Sequence, residues 1–280
     1  MLVHTVIRYQ ASGGETLEQL IPLIEDLVLF DEELRESDAV VRKEDLLYTD
    51  ILPDYPLYEF LYNAQRPGYD TRKLLALTLD KTSTIGNVPR EDKSAPGELG
   101  PWGGDLDCEI NNFSQWNDWM RNCLRNFDGS AEEFHRQCRN VFPTLIFSNE
   151  FPNCLKTFDG NLSDFTGEII KALSALADLM PQCMLIQNPA ERLPTFSSNS
   201  GFETTMEGNS ARKGALTFEF VKRLGEGCKK VDVVCEPHMK MSDSSKEGDS
   251  KYYQHRLYFS SGNHAEFPGC ILVGHIGAHK

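Results

Sequence analysis

Three runs near the C-terminal end constrain this chain more than any other feature: KKVDVVCEPHMKM (229–241), YYQHRLYFSS (252–261) and GCILVGHIGAH (269–279). Each alternates apolar and polar residues. A period of two marks an extended strand with one buried face, because successive side chains point to opposite sides of the sheet. In the first run Val231, Val233, Cys235, Pro237, Met239 and Met241 fall on one face, and Asp232, Val234, Glu236, His238 and Lys240 on the other. The second run sets Gln254, Arg256 and Tyr258 against Tyr253, His255, Leu257 and Phe259, and the third carries Ile271, Val273, His275, Gly277 and His279 on one side. A polar stretch, Ser242–Lys251, separates the first two runs and suits a hairpin loop or flap. The segment Ala215–Leu224 reads as a helix before them. Paired as an antiparallel meander, the three runs bring Glu236, His238 and Lys240 onto a face with Arg256 and Tyr258, with His275 or His279 arriving from the third.

Upstream, the periodicity changes to that of helices. Residues 17–37 follow a capping-box pattern at Thr16–Gln19, and a second box, Ser130-Ala131-Glu132-Glu133, opens a helix that must close before Pro143. Two more helices are expected over Phe113–Asn126 and from about Ser163 to Met180, the latter with Phe165, Ile169, Ala172, Leu173, Leu176 and Met180 on one face. Met1–Arg8 reads as a first strand, and the Gly- and Pro-rich stretch Lys81–Asp107 as a long loop. The expected fold class is therefore α+β. Residues 1–190 form an acidic, mostly helical region of unknown role, 191–214 a linker, and 215–280 a helix with a three-stranded antiparallel sheet.

Composition excludes several functions. Of 280 residues 40% are hydrophobic and 25% charged, as in a globular chain, and no apolar stretch approaches the roughly 18 residues of a membrane span. The first residues lack the basic and apolar regions of a secretory signal, so a cytoplasmic location without a membrane partner is expected. Eight cysteines contain no CxxC pair, and Gly13-Gly14 lacks the Gly-Lys-Ser/Thr of a phosphate-binding loop. No metal and no other cofactor is expected. The charge is −14 overall but uneven: residues 211–280 hold 11 Lys+Arg against 8 Asp+Glu, leaving −17 for residues 1–210. Five of the seven histidines fall within the last 43 residues.

A carboxylate, imidazoles and cations on one sheet face supply what metal-free RNA cleavage needs. A base removes the 2′-hydroxyl proton, an acid protonates the leaving 5′-oxygen, and a cation holds the phosphorane charge. A helix followed by three strands bearing a Glu, then an Arg, then a late His resembles the catalytic half of the RelE and YoeB toxin superfamily of small metal-independent ribonucleases. The resemblance covers residues 211–280. It implies Glu236 as base, Arg256 as phosphate ligand and His275 or His279 as acid, with Lys240 and Tyr258 as further contacts and His238 beside them. It also implies an endoribonuclease of toxin or phage-defence type, with RNA, and in some members the ribosome, as partner. From the charge asymmetry the acidic N-terminal region is expected to dock on the basic tail and restrain it. Two other readings use the same residues: a non-catalytic module that binds nucleic acid or protein, and a metal-dependent nuclease with histidine and Glu236 ligands.

Overall fold

The register of the C-terminal strands organises the larger part of the molecule. The computed structural model describes residues 5–8, 25, 28–29, 32, 41–44, 51–52, 55–63, 65, 68–81, 83–85, 100–102, 113–208, 210–224, 227–241 and 255–280. They belong to two compact units, Leu2–Asn122 and Cys123–Lys280.

In the first unit, β1 (Thr5–Arg8), β2 (Val41–Glu44), β3 (Ile51–Leu52) and β4 (Tyr55–Pro56) precede helices α1 (Leu57–Tyr62) and α2 (Tyr69–Lys81), and β5 (Ser83–Ile85) and β6 (Gly100–Trp102) follow them. A four-stranded sheet has the order β5-β2-β1-β6, parallel except for β6, while β3 and β4 form a small antiparallel ribbon. The expected first strand is present. Helix outweighs strand among the described residues of 1–190, but the four-stranded sheet was not expected, and strands β5 and β6 fall within the expected 81–107 loop. Leu75, Ala76 and Leu79 bury one side of α2, and Arg72 is buried with Nη2 donating to the Asn63 carbonyl at 3.0 Å. Most of the helix expected over 17–37 lies outside the described residues, although Glu25, Val28, Leu29 and Glu32 are helical. Helix α3 (Phe113–Arg125) runs across the boundary between the units.

The second unit adds α4 (Ala131–Val141), β7 (Leu145–Phe147), α5 (Phe151–Cys154), α6 (Thr166–Met184), α7 (Pro189–Ser200) and β8 (Thr204–Met206), then β9 (Thr217–Leu224), β10 (Gly227–Val234), β11 (Pro237–Lys240), β12 (His255–His264) and β13 (Phe267–Ala278). The Ser130 hydroxyl caps α4, accepting from the Glu133 amide at 3.2 Å as its box predicts. Helix α6 buries all the residues assigned to its apolar stripe: Phe165, Ile169, Ala172, Leu173, Leu176 and Met180 are at most 1% exposed.

The three expected strands do form an antiparallel meander, β11-β12-β13, but as the middle of a five-stranded sheet, β7-β13-β12-β11-β8, in which β7 runs parallel to β13. Three expectations change with it. The helix expected over Ala215–Leu224 is strand β9, because Phe218 and Phe220 alternate with Thr217, Glu219 and Val221, and aromatic and β-branched residues fit a pleated surface. The first run is two strands: β10 pairs with β9 as far as Val234↔Thr217, and Pro237, which has no N–H to give that ladder, opens β11 in the other sheet. The expected linker is mostly ordered. Asn188 caps α7, Pro189 sits in its first turn and Gly201 ends it at φ +73°, so its Ser and Asn content disguises a capped helix. The polar 242–251 stretch lies outside the described residues.

The sheet is covered on both faces. Toward the helices, His255 and Phe259 pack on Phe158, Phe165 and Phe196. Toward the β9–β10 hairpin, Phe218, Phe220, Val231 and Val233 bury Tyr258, Phe267 and Leu272. At about 1.5–3 kcal/mol for each large apolar side chain removed from water, this second layer holds the hairpin over the sheet. No helix among the described residues is long and apolar enough to cross a membrane.

Candidate functional site

Cross-strand pairing places the expected residues in two neighbouring rungs. His238, Tyr258 and His275 stand side by side on β11, β12 and β13, and the next rung on the same face, two residues along, carries Lys240, Arg256 and Gly277. Tyr258 is at the centre of the aromatic groups, its ring centroid 5.2 Å from His238, 6.0 Å from His275 and 6.4 Å from His279.

Burial then sorts the histidines. His275 is 1% exposed, stacks on Phe218 and has Nε2 at 2.8 Å from the Ala278 carbonyl, which accepts its proton. Burial pulls its pKa down to about 4, so it stays neutral in the packed layer. His238 is also buried, with Nε2 3.3 Å from the Thr205 hydroxyl, and burial again lowers its pKa. His279 is exposed. Its Nε2 lies 3.4 Å from Nη1 of Arg212, and its pKa is lowered by partial desolvation and by the charges of Arg256 and Arg212. Burial raises the Tyr258 phenol, with the Lys280 main chain acting against it, so the phenol keeps its proton. The other two C-terminal histidines are structural. His255 lies between Phe158 and Phe165 on the opposite face and accepts from the Asp159 amide, and His264 accepts from the Glu266 amide in a turn.

The carboxylates are not arranged as the sequence suggests. Glu236 occupies the break between β10 and β11, where its carboxylate pairs with Lys213 at 3.2 Å. The acid whose field reaches His238, Tyr258 and His279 is Glu207, at the end of β8, with only 12% of its side chain exposed and Arg212 at 3.7 Å. Glu207 and Arg212 both fall in the segment read as a linker. The local signal was the extended run Thr204-Thr205-Met206 before Glu207, whose partner strand lies more than 30 residues away. In the second rung, Lys240 pairs with Glu203, and Nη1 of Arg256 donates to the His255 carbonyl at 2.8 Å. Arg256 is half-buried, and that burial lowers its pKa.

This arrangement offers an accessible, neutral imidazole flanked by two guanidinium groups, with an ammonium one strand away and a carboxylate behind it. Such a set can take a proton and hold an anion at the same place. Among the described residues, no three His, Cys, Asp or Glu side chains converge as a metal-binding group. No family model matches the sequence, and neither a characterised protein nor a solved structure matches it.

Proposed function

We propose that this face of the β11–β13 sheet is the site of a metal-independent endoribonuclease. The observation that carries the reading is His279, an exposed imidazole 3.4 Å from Arg212 and under the field of Arg256. In this scheme neutral His279 accepts the 2′-hydroxyl proton, the freed oxygen attacks phosphorus to give a 2′,3′-cyclic phosphate, and the bond to the 5′-oxygen breaks. The Lys240 ammonium, beside Arg256 across the strand pair, protonates the leaving oxygen. Arg256 and Arg212 hold the phosphorane charge. Glu207 pairs with Arg212 and its field reaches His279, Glu203 is the carboxylate that acts on Arg256, and Tyr258 and His238 form the floor. The likeness to RelE-type toxins makes RNA the partner. In some members of that superfamily the ribosome is a partner as well. The resemblance carries a strand glutamate as base; the geometry favours His279 in that role, because its imidazole is exposed and held in the neutral form while Glu236 is paired with Lys213.

The test is cleavage of RNA by the purified chain with EDTA present. His279→Ala and Arg256→Ala should each slow it by about 10²–10⁴-fold, the usual worth of a positioned acid–base or oxyanion group. RNA bound but left intact by the wild type would turn the reading to a binding module. Cleavage abolished by chelator would turn it to a metal nuclease.

A further inference from the structure

Beside the histidine rung lies a cavity of about 590 Å³ that the cleavage scheme does not use. It opens between α6, α7 and the β8 edge of the sheet. Its walls are Met180, Met184, Leu193 and Met206, and Glu236, Arg192, Thr205 and Ser261 are among the residues that bring polar groups. The volume falls in the range of small-molecule sites, and the lining has their character: apolar slabs with a few convergent polar groups. Thioether side chains adapt to a flat π-system and contact it favourably. Thr205 joins the cavity to the site, since its hydroxyl also meets His238.

We propose that this cavity holds one nucleobase flanking the cleaved phosphate, and that Glu236 selects guanine there. An ionised carboxylate is acceptor-only, with two oxygens side by side. Guanine presents two adjacent donors on its Watson–Crick edge, N1–H and the N2 amino group, and adenine presents an acceptor where guanine has N1–H. The Lys213 partner of Glu236 is 59% exposed, and an ion pair that open to solvent is weak enough to be exchanged for a base edge. The inference rests on the ribonuclease reading for its place beside the scissile bond, and it gives Glu236 a recognition role in place of a catalytic one.

The experiment is binding of guanosine and adenosine monophosphates to the full chain carrying 13C-methyl methionine, followed by NMR. Guanosine monophosphate should shift the Met184 and Met206 methyl signals and bind about tenfold or more tightly than adenosine monophosphate, the usual worth of a bidentate base contact. Glu236→Gln should narrow that ratio to near one, and Leu193→Trp, which narrows the cavity at its wall, should weaken the shifts of both methyls. Equal binding of the two nucleotides, or no methyl shift with either, overturns the inference. So does a guanine preference that survives Glu236→Gln. RNA cut without base preference by a chain that binds no nucleotide removes this proposal and leaves the cleavage reading standing. Guanine binding by a chain that leaves RNA intact does the reverse.

Discussion

His275 and His279 are four residues apart, yet their chemistry differs because one is sealed under Phe218 and the other faces water. The lowered pKa of His279 keeps its base form populated below the ordinary imidazole value of about 6.5. The acid limb of the cleavage pH profile should therefore lie below that value and disappear in His279→Ala; a limb above it would mean another base. For His275 the consequence is stability. Its pKa is about 4 when folded and about 6.5 when unfolded, so between these values the unfolded chain binds more protons. The stabilisation is complete above about pH 6.5 and is lost as pH falls toward 4, an effect on the order of 3 kcal/mol. Chemical denaturation at pH 7 and pH 5 should show it, and His275→Leu should flatten the dependence. The residue types were legible in the sequence, since both histidines stood out by their clustering. Their separation into buried and accessible was not, because it depends on a hairpin that the local pattern resembles a helix in forming.

At the scale of elements, the hairpin and the sheet meet at Gly274. A Cβ there would collide with the Phe218 ring and lie 2.9 Å from Cys235 Sγ. Gly274→Ala should therefore lift the hairpin and destabilise the unit by about 1–3 kcal/mol, the usual cost of overpacking. It should also raise solvent exchange of His275. An unchanged melting temperature would show that the layer yields without cost. Helices α4 and α6 were legible because their caps and stripes are local. Strands β7 and β8 were not: each is three residues long and exists because β13 and β11 offer unpaired edges far along the chain. Missing β8 hid Glu207 and turned attention to Glu236.

For the whole molecule, the boundary at 122/123 halves the charge asymmetry: residues 2–122 carry 11 Lys+Arg and 23 Asp+Glu, or −12, and residues 123–280 carry 17 and 19, or −2. The second unit has its own buried core, so residues 123–280 expressed alone should unfold in one cooperative thermal transition. If the acidic segment restrains the site, as the charge asymmetry suggested, that fragment should also cut RNA faster than the full chain; equal rates would end the idea of restraint.

Alternation alone determined that 229–234, 237–240, 255–261 and 269–278 are extended and that Arg256 and Tyr258 share a side, because a two-residue period is a local property of the backbone. It also determined the apolar face of α6 and the start of α4. Only the tertiary structure decided which strands pair, that a hairpin seals His275, and that Glu207 and Arg212, not Glu236, stand beside His279. Pairing and burial are set by contacts between segments distant in the chain, and a short strand carries little in its own residues to say where its partner lies.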